Sequence, residues 1–374
     1  MKLNNNQQAF LELLRAGLWE KEARLSQYKD IDFAVIMQLS EDQFVVGLVT
    51  AGLERVSDVI VPKEMLLQFI GSTLQVEQRN RDMNIIVARL IEELRNQNVY
   101  TLLIKGQGIA QCYEKPLWRV SGDVDLLLSK DNYEAAKSVL MPLASYIDEE
   151  IEKKKHLALT INNWTVELHG SLRTNLWKRL ELLMDELQRD VFYNGNVRSW
   201  INGKTQVFLL RADEDAVFVF AHILQHFFIE GIGLRQICDW CRLLWTYRDS
   251  LNHGLLESRI KKAGLMSEWK AFVAFAVEYL GMPKEAMPLY DSSGRWIRNA
   301  KVILALVMEN GNFGQGKNKS YKQKYPKLIS YAISFGLHAK DGFRRFRMFP
   351  AEALLMWWKL MIHGLRGVLK VRRR

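Results

Sequence analysis

Thr101-Leu102-Leu103-Ile104-Lys105-Gly106-Gln107-Gly108, followed by Ser121-Gly122-Asp123-Val124-Asp125-Leu126-Leu127-Leu128, decides how this chain is read. The first run is a short apolar strand that breaks into a loop with two glycines. Backbone there can approach a ligand closely, and the free N–H groups of a helix start running toward Tyr113 attract phosphate. The second run is another strand. Successive strand side chains point to opposite faces, so Asp123 and Asp125 share one face while Val124 and Leu126 share the other. Two neighbouring carboxylates repel, and both stay ionised at low cost only with a cation between them. Hard oxygen donors suit Mg2+ or Mn2+, and two such ions can clamp the attacking and leaving oxygens of a phosphoryl transfer. An isolated Asp-x-Asp is more often merely solvated; here the glycine loop stands beside it.

Downstream, Trp164 to His169 alternates again, with Thr165, Glu167 and His169 on one face and Val166 and Leu168 on the other. Glu167 offers a third carboxylate, either as a cation ligand or as the base that takes a proton from an attacking hydroxyl. Leu103-Ile104-Lys105-Gly106, Arg119 to Leu127 and Val166-Glu167-Leu168-His169 together resemble the nucleotidyltransferase superfamily that includes DNA polymerase beta and the kanamycin nucleotidyltransferases. They resemble most its bacterial branch of uncharacterised nucleotidyltransferases, often associated with capsular or exopolysaccharide gene clusters. A looser match continues through His222, His226 and Gly233-Leu234-Arg235 to Asp239, so the likeness spans about residues 80 to 250. It implies an α+β fold with a small mixed sheet, Mg2+ or Mn2+ held by Asp123, Asp125 and Glu167, and an NTP donor whose phosphates lie over Gly106. One departure is visible. The superfamily usually has Gly-Ser or Gly-Gly in that loop, whereas this chain has Gly106-Gln107. Lys105, Gln107, Gly108, Arg119 and Ser121 are therefore the candidates for contact with the phosphates.

With 374 residues, 48% of them hydrophobic and 25% charged, the chain has the composition of a globular protein with a sizeable core. Its first residues lack the apolar segment of a signal peptide, and no run reaches the roughly 18 apolar residues needed to span a bilayer. A cytoplasmic location is expected. Three cysteines do not make a disulfide framework, and Cys238-x-x-Cys241 lies in the apolar helix expected over Leu234 to Trp245, as buried thiols. His222 and His226, four apart in a helix, lack the glutamate of a zinc-protease motif and read as core or cleft-edge residues. Arg235 and Asp239, one turn apart, are placed to pair with each other.

Residues 1–94 form a helical lead-in with no chemistry of its own, carried by Phe10, Leu14 and Leu18, then Leu67, Ile70 and Leu74, then Met83, Ile86, Leu90 and Leu94. Residues 95–210 are the α+β core, with a hairpin at Asn202-Gly203. Residues 211–310 are helical from Asp213-Glu214-Asp215 onward, acids that suit a helix start. Residues 311–374 begin as a flexible connector, Gly311 to Tyr325, and end in a basic amphipathic helix. The net charge of +10 belongs to that end: residues 315–374 carry 15 Lys and Arg against 2 acids, leaving the rest slightly acidic. Phe343-Arg344-Arg345-Phe346-Arg347, the expected helix Ala351 to Leu369 with Trp357, Trp358, Met361 and Leu365, and Arg372-Arg373-Arg374 suit an anionic membrane surface, with peripheral attachment on its inner face. They suit at least as well packing on the protein itself or on a partner subunit and, less well, nucleic acid.

The reading is a Mg2+-dependent transferase moving a nucleoside monophosphate from an NTP to an unidentified hydroxyl acceptor, with surface polysaccharide as the expected setting. The alternative, prompted by Gln107, is a non-catalytic nucleotide-binding scaffold of a membrane-associated complex.

Overall fold

The computed structural model describes residues 3–152, 155–195, 197–229, 231–311 and 340–355. Four helices come first: α1 (Asn5–Trp19), α2 (Phe33–Asp42), α3 (Val46–Leu53) and the long α4 (Lys63–Asn96). Asn4 caps α1 in a reciprocal box with Gln7, and Phe10, Leu14 and Leu18 are fully buried. The chain then alternates through β1 (Thr101–Ile104), α5 (Gly106–Ala110), β2 (Val124–Leu128), α6 (Lys130–Leu140), β3 (Tyr146–Ile147), β4 (His156–Ile161), β5 (Trp164–His169), α7 (Lys178–Asn194), β6 (Val197–Asn202) and β7 (Thr205–Leu210). Helices α8 (Ala212–Ile229), α9 (Leu234–Thr246), α10 (His253–Ala263), α11 (Met266–Leu280) and α12 (Gly294–Asn310) complete a helical bundle.

The strands form one mixed seven-stranded sheet, in the order β3-β4-β5-β2-β1-β7-β6. Strand β2 runs antiparallel to β1 and parallel to β5, and β7 joins the far side of β1 in parallel. The fold is the α+β class expected from the sequence. The Asn202-Gly203 signal marks a real hairpin: Asn202 pairs with Thr205, and Gly203 takes the positive φ that such a turn requires.

The period-two pattern sorts the sheet's side chains onto two cores. Leu103, Val124, Leu126, Leu128, Val166 and Leu168 pack against α6 and the C-terminal half of α4 through Met83, Val87, Leu90 and Leu94. On the opposite face Leu102, Ile104 and Leu127 join a larger core built with the bundle, to which α1, α3, α8, α9, α11 and α12 all contribute. The first 53 residues and the C-terminal helices therefore share one core. Leu67, Ile70 and Leu74 do form a helix, in α4, but the side chains are exposed; the buried residues of that half are Phe69 and Thr73. Apolar spacing alone finds the helix and picks the wrong face, because a 34-residue helix passes from one core to the other.

Helices α1 and α3 approach with almost no side chain between them. A Cβ on Gly17 would overlap the Leu48 carbonyl, and one on Gly52 would overlap that of Leu13. Residues 340–348 and 350–355 are helical, and Met348, Phe349 and Ala353 enter the large core. Arg345 lies buried over the Phe227 ring, and Arg344 pairs with Glu309, whereas Phe343 and Phe346 face outward. The first turns of the basic end thus pack on the protein. The connector beyond Gly311, Trp357, Trp358, Met361, Leu365 and Arg372 to Arg374 lie outside the described residues. Among the described residues, no helix is long and apolar enough to cross a membrane.

Glu268, in the first turn of α11, is buried and faces Glu352, with no basic partner among the described residues. Burial, and then the Glu352 charge, push its carboxyl up to about 8.

Two outcomes follow from this packing. Gly17→Ala should lower stability by about 1–3 kcal/mol in urea titration, since overpacking forces the helices apart; a change below about 0.5 kcal/mol would mean the pair yields freely. Glu268 is protonated in the folded chain and ionised in the unfolded chain over the interval from its ordinary 4.5 to about 8. Its contribution is therefore fully present below pH 4.5 and is lost as pH rises through 8. Glu268→Gln should flatten the fall in melting temperature over that range, and an unchanged profile would contradict the assignment.

Candidate active site

The parallel pairing of β2 with β5 sets Asp125 directly opposite Glu167, and the antiparallel pairing of β4 with β5 sets His156 opposite His169. Alternation turns all four toward the bundle side of the sheet, while Val124, Leu126, Val166 and Leu168 fill the core behind. Asp123 stands one residue before β2. Carboxylate oxygens of Asp123, Asp125 and Glu167 lie within 4.8 Å of one another.

Glycine 106 opens α5 with φ +42°, and a Cβ there would meet the Asp123 carbonyl oxygen at 3.6 Å. Just before it, Lys105 takes φ 57° and ψ −145°, a conformation that L residues with a side chain avoid at a cost of about 1–3 kcal/mol. The strain has a visible outcome. The Lys105 ammonium reaches Asp125 Oδ1 at 2.8 Å, and His169 Nε2 donates to the same oxygen at 2.8 Å. His169 Nε2 also lies 3.3 Å from Glu167 Oε2, which accepts from His156 Nε2 at 3.0 Å.

Burial opposes each of these charges, and the neighbours decide the result. Lys105 and the His169 hydrogen bond outweigh burial and hold Asp125 below its ordinary value. Hydrogen bonds from His156 and His169 likewise outweigh burial and hold Glu167 far down. Burial lowers Lys105 and His169 most, but Asp125 and the neighbouring carboxylates together outweigh it and hold both above their ordinary values. Asp123 goes the other way: repulsion from Asp125, then burial, push its carboxyl up, and it accepts no hydrogen bond from the described residues. A carboxylate left in that state beside two others fits a hard divalent cation, with Asp123, Asp125 and Glu167 as its oxygen donors.

The loop before Asp123 is pinned from two sides. Asn80 of α4 donates to the carbonyls of Leu117 and Arg119, both at 2.7 Å. The Arg119 guanidinium forks onto the Asp239 carboxylate at 2.8 and 2.6 Å, and the Tyr113 hydroxyl donates to Asp239 at 2.7 Å. Asp239 is thereby taken by Arg119, which corrects the expected Arg235–Asp239 pair. Arg235 instead donates to the Val120 carbonyl at 3.0 Å, has no partner for its Nε among the described residues, and lies over the Phe44 ring.

A cavity of about 570 Å3 opens between the sheet and helices α8 and α9. Of the residues expected at the site, Lys105, Gly106, Arg119, Ser121, Asp123, Asp125 and Glu167 line it. Gln107 and Gly108 do not. The Gln107 amide turns inward, donating to Asn80 Oδ1 at 3.1 Å and accepting from Ser121 Oγ at 3.4 Å, while Gly108 packs under Leu209. Those two residues shape the loop from behind, and the phosphate-contact role expected of them has no geometry to support it. His222 and His226 line the roof and share a hydrogen bond at 3.0 Å; burial, then Lys105, keep His222 well below its ordinary pKa and neutral. Cys238 and Cys241 are buried, as expected, with burial pushing both thiols far up.

His156, Arg235 and Phe44 are wall residues that the sequence reading missed. The signal for His156 was present: His156 to Ile161 alternates, and Asn162-Asn163, both with positive φ, forms the two-residue turn that returns the chain as β5. Phe44 has no local signal, since its place depends on the N-terminal helices docking on the bundle.

Residues 29–281 match a family model described as uncharacterised nucleotidyltransferase. No curated protein and no solved structure matches the chain. Because the matched segment covers more than half of the chain and contains the whole carboxylate cluster with its glycine loop, the protein belongs to the uncharacterised nucleotidyltransferase family and is an enzyme of nucleotidyl transfer.

Proposed function

We propose that the protein moves a nucleoside monophosphate from an NTP to a hydroxyl acceptor in a Mg2+-dependent reaction, releasing pyrophosphate. The observation that carries this reading is the convergence of Asp123, Asp125 and Glu167 at the floor of one cavity, beside the backbone of Gly106. Asp123 and Asp125 would be the principal ligands and Glu167 the third. Bound Mg2+ would neutralise charge developing on the transferring phosphoryl group. An acceptor oxygen would bond to the α-phosphorus as the bond to the pyrophosphate oxygen breaks, with the hydroxyl proton passing through cavity water to the departing pyrophosphate. Glu167, held far below the ordinary carboxylate range, is a weak base and suits the ligand role better than proton abstraction.

The Gly106 backbone and the Arg235 guanidinium, whose Nε has no partner among the described residues, are the groups we assign to the triphosphate. Arg119 and Ser121 contribute through position, since Arg119 is committed to Asp239 and Ser121 to Arg119 and Gln107. With its amide engaged behind the loop, Gln107 no longer argues for a non-catalytic scaffold. The acceptor hydroxyl stays unidentified; the resemblance favours surface-polysaccharide synthesis as the setting, and the exposed Phe343 and Phe346 of the basic end are available to an anionic membrane surface.

The test is release of pyrophosphate from each of the four NTPs with and without Mg2+. Asp123→Asn and Asp125→Asn should each lower kcat by about 100-fold or more, equivalent to several kcal/mol of lost charge stabilisation. Undiminished turnover in a folded Asp123→Asn protein would end this reading. Arg235→Ala should raise KM for the NTP more than it lowers kcat.

A further inference from the structure

Four of the chain's seven histidines line this one cavity: His156, His169, His222 and His226. Two of them converge on Glu167. The register of β4 and β5 places His156 and His169 side by side, with ring centroids 4.8 Å apart, and both Nε2 atoms point at the same carboxylate oxygen, at 3.0 and 3.3 Å. The ligating atoms of His156, Glu167 and His169 all fall within 4.8 Å of one another.

Those spacings are those of ligands around one ion. Bonds of about 2.1 Å to imidazole nitrogen and carboxylate oxygen separate neighbouring donors by about 3.0 Å at right angles and about 3.4 Å at tetrahedral angles. To share a cation, the two nitrogens give up their protons and His169 exchanges its hydrogen bond to Asp125 for the ion. His169 Nε2 is closer still to Asp125 Oδ1, at 2.8 Å, so it stands between the two carboxylates and is not committed to Glu167 alone.

We propose that His156, Glu167 and His169 form a second cation subsite beside the oxygen-only trio, with the Glu167 carboxylate shared between them. Imidazole nitrogen favours transition ions such as Co2+ or Zn2+ over the Mg2+ suited to the Asp123–Asp125 side, while Mn2+ is accepted by nitrogen and oxygen donors alike and so reports on both subsites. Its open positions face the cavity, where water or a substrate oxygen can complete the shell. The subsite shares a ligand with the site proposed above, yet it requires only these three side chains and no nucleotide.

Pulsed electron paramagnetic resonance of the full-length protein loaded with two equivalents of Mn2+, enough for both subsites, without nucleotide, tests the proposal directly. Nitrogen couplings from two imidazoles are expected, and they should change to the 15N pattern when the protein is made with 15N-labelled histidine. His156→Gln, which keeps a polar group beside Glu167, should remove one coupling and weaken Mn2+ binding about tenfold or more. A wild-type spectrum with oxygen ligands alone overturns the subsite, as does absence of Mn2+ binding. So do couplings that survive in His156→Gln and His169→Gln but vanish in His222→Gln, which would put the ion on the α8 pair. The outcomes separate from those for nucleotidyl transfer: Mg2+-dependent turnover with a nitrogen-free Mn2+ spectrum removes the second subsite alone. Nitrogen-ligated Mn2+ in a protein that releases no pyrophosphate leaves the subsite standing without the transfer reading.

Discussion

Two carboxylates held opposite each other on adjacent parallel strands, Asp125 on β2 and Glu167 on β5, set the terms for everything around them. The sheet brings them together on a face that is largely buried, where like charges cannot be left uncompensated. The protein answers with cationic and donor groups drawn from three places: Lys105 from the strained turn after β1, His169 from β5 and His156 from β4. Asp123 receives less of that compensation than repulsion from Asp125 and burial require. The floor of the cavity is therefore anionic at one end and rich in imidazole at the other, which is the basis for assigning two different kinds of cation to it.

The walls depend on a second buried interaction. Arg119 and Tyr113, both on the glycine-loop side, meet Asp239 of α9 in a network with almost no exposure to water. Breaking one member would leave a buried charge unpaired, so the loop leading to Asp123 and the helix that roofs the cavity are held together as a unit. Asn80 secures the same loop from α4. Through Phe44 and the shared core, the N-terminal helices also reach the cavity, and their close packing at Gly17 and Gly52 is part of what keeps Phe44 against Arg235.

Much of this was legible in the residues. The glycine loop, the Asp123–Asp125 spacing and the Glu167 alternation all depend on local periodicity, and the structure brings the three carboxylates together. The helices carried by Phe10, Leu14 and Leu18 and by Cys238 and Cys241 were equally local, as was the Asn202-Gly203 hairpin. The errors fall where a residue's partner is distant in the chain. Asp239 looked like a partner for Arg235 one turn away, and is bound by Arg119, 120 residues earlier. Leu67, Ile70 and Leu74 have helical spacing but no neighbour to bury them. Gln107 looked like a departure in a phosphate loop, and its amide is spent on Asn80 of α4 and on Ser121.

By itself the sequence determined which side chains share a face of a strand or helix, because side-chain direction repeats with the backbone and needs no partner. That was enough for the α+β class, the carboxylates and the loop beside them. Strand order, register and helix docking were decided only in the folded chain. They set Asp125 against Glu167, aimed His156 and His169 at one oxygen, and turned Gln107 inward and Arg235 toward the cavity. Such pairings join residues tens to more than a hundred positions apart, and no local pattern encodes which distant group will satisfy a buried charge.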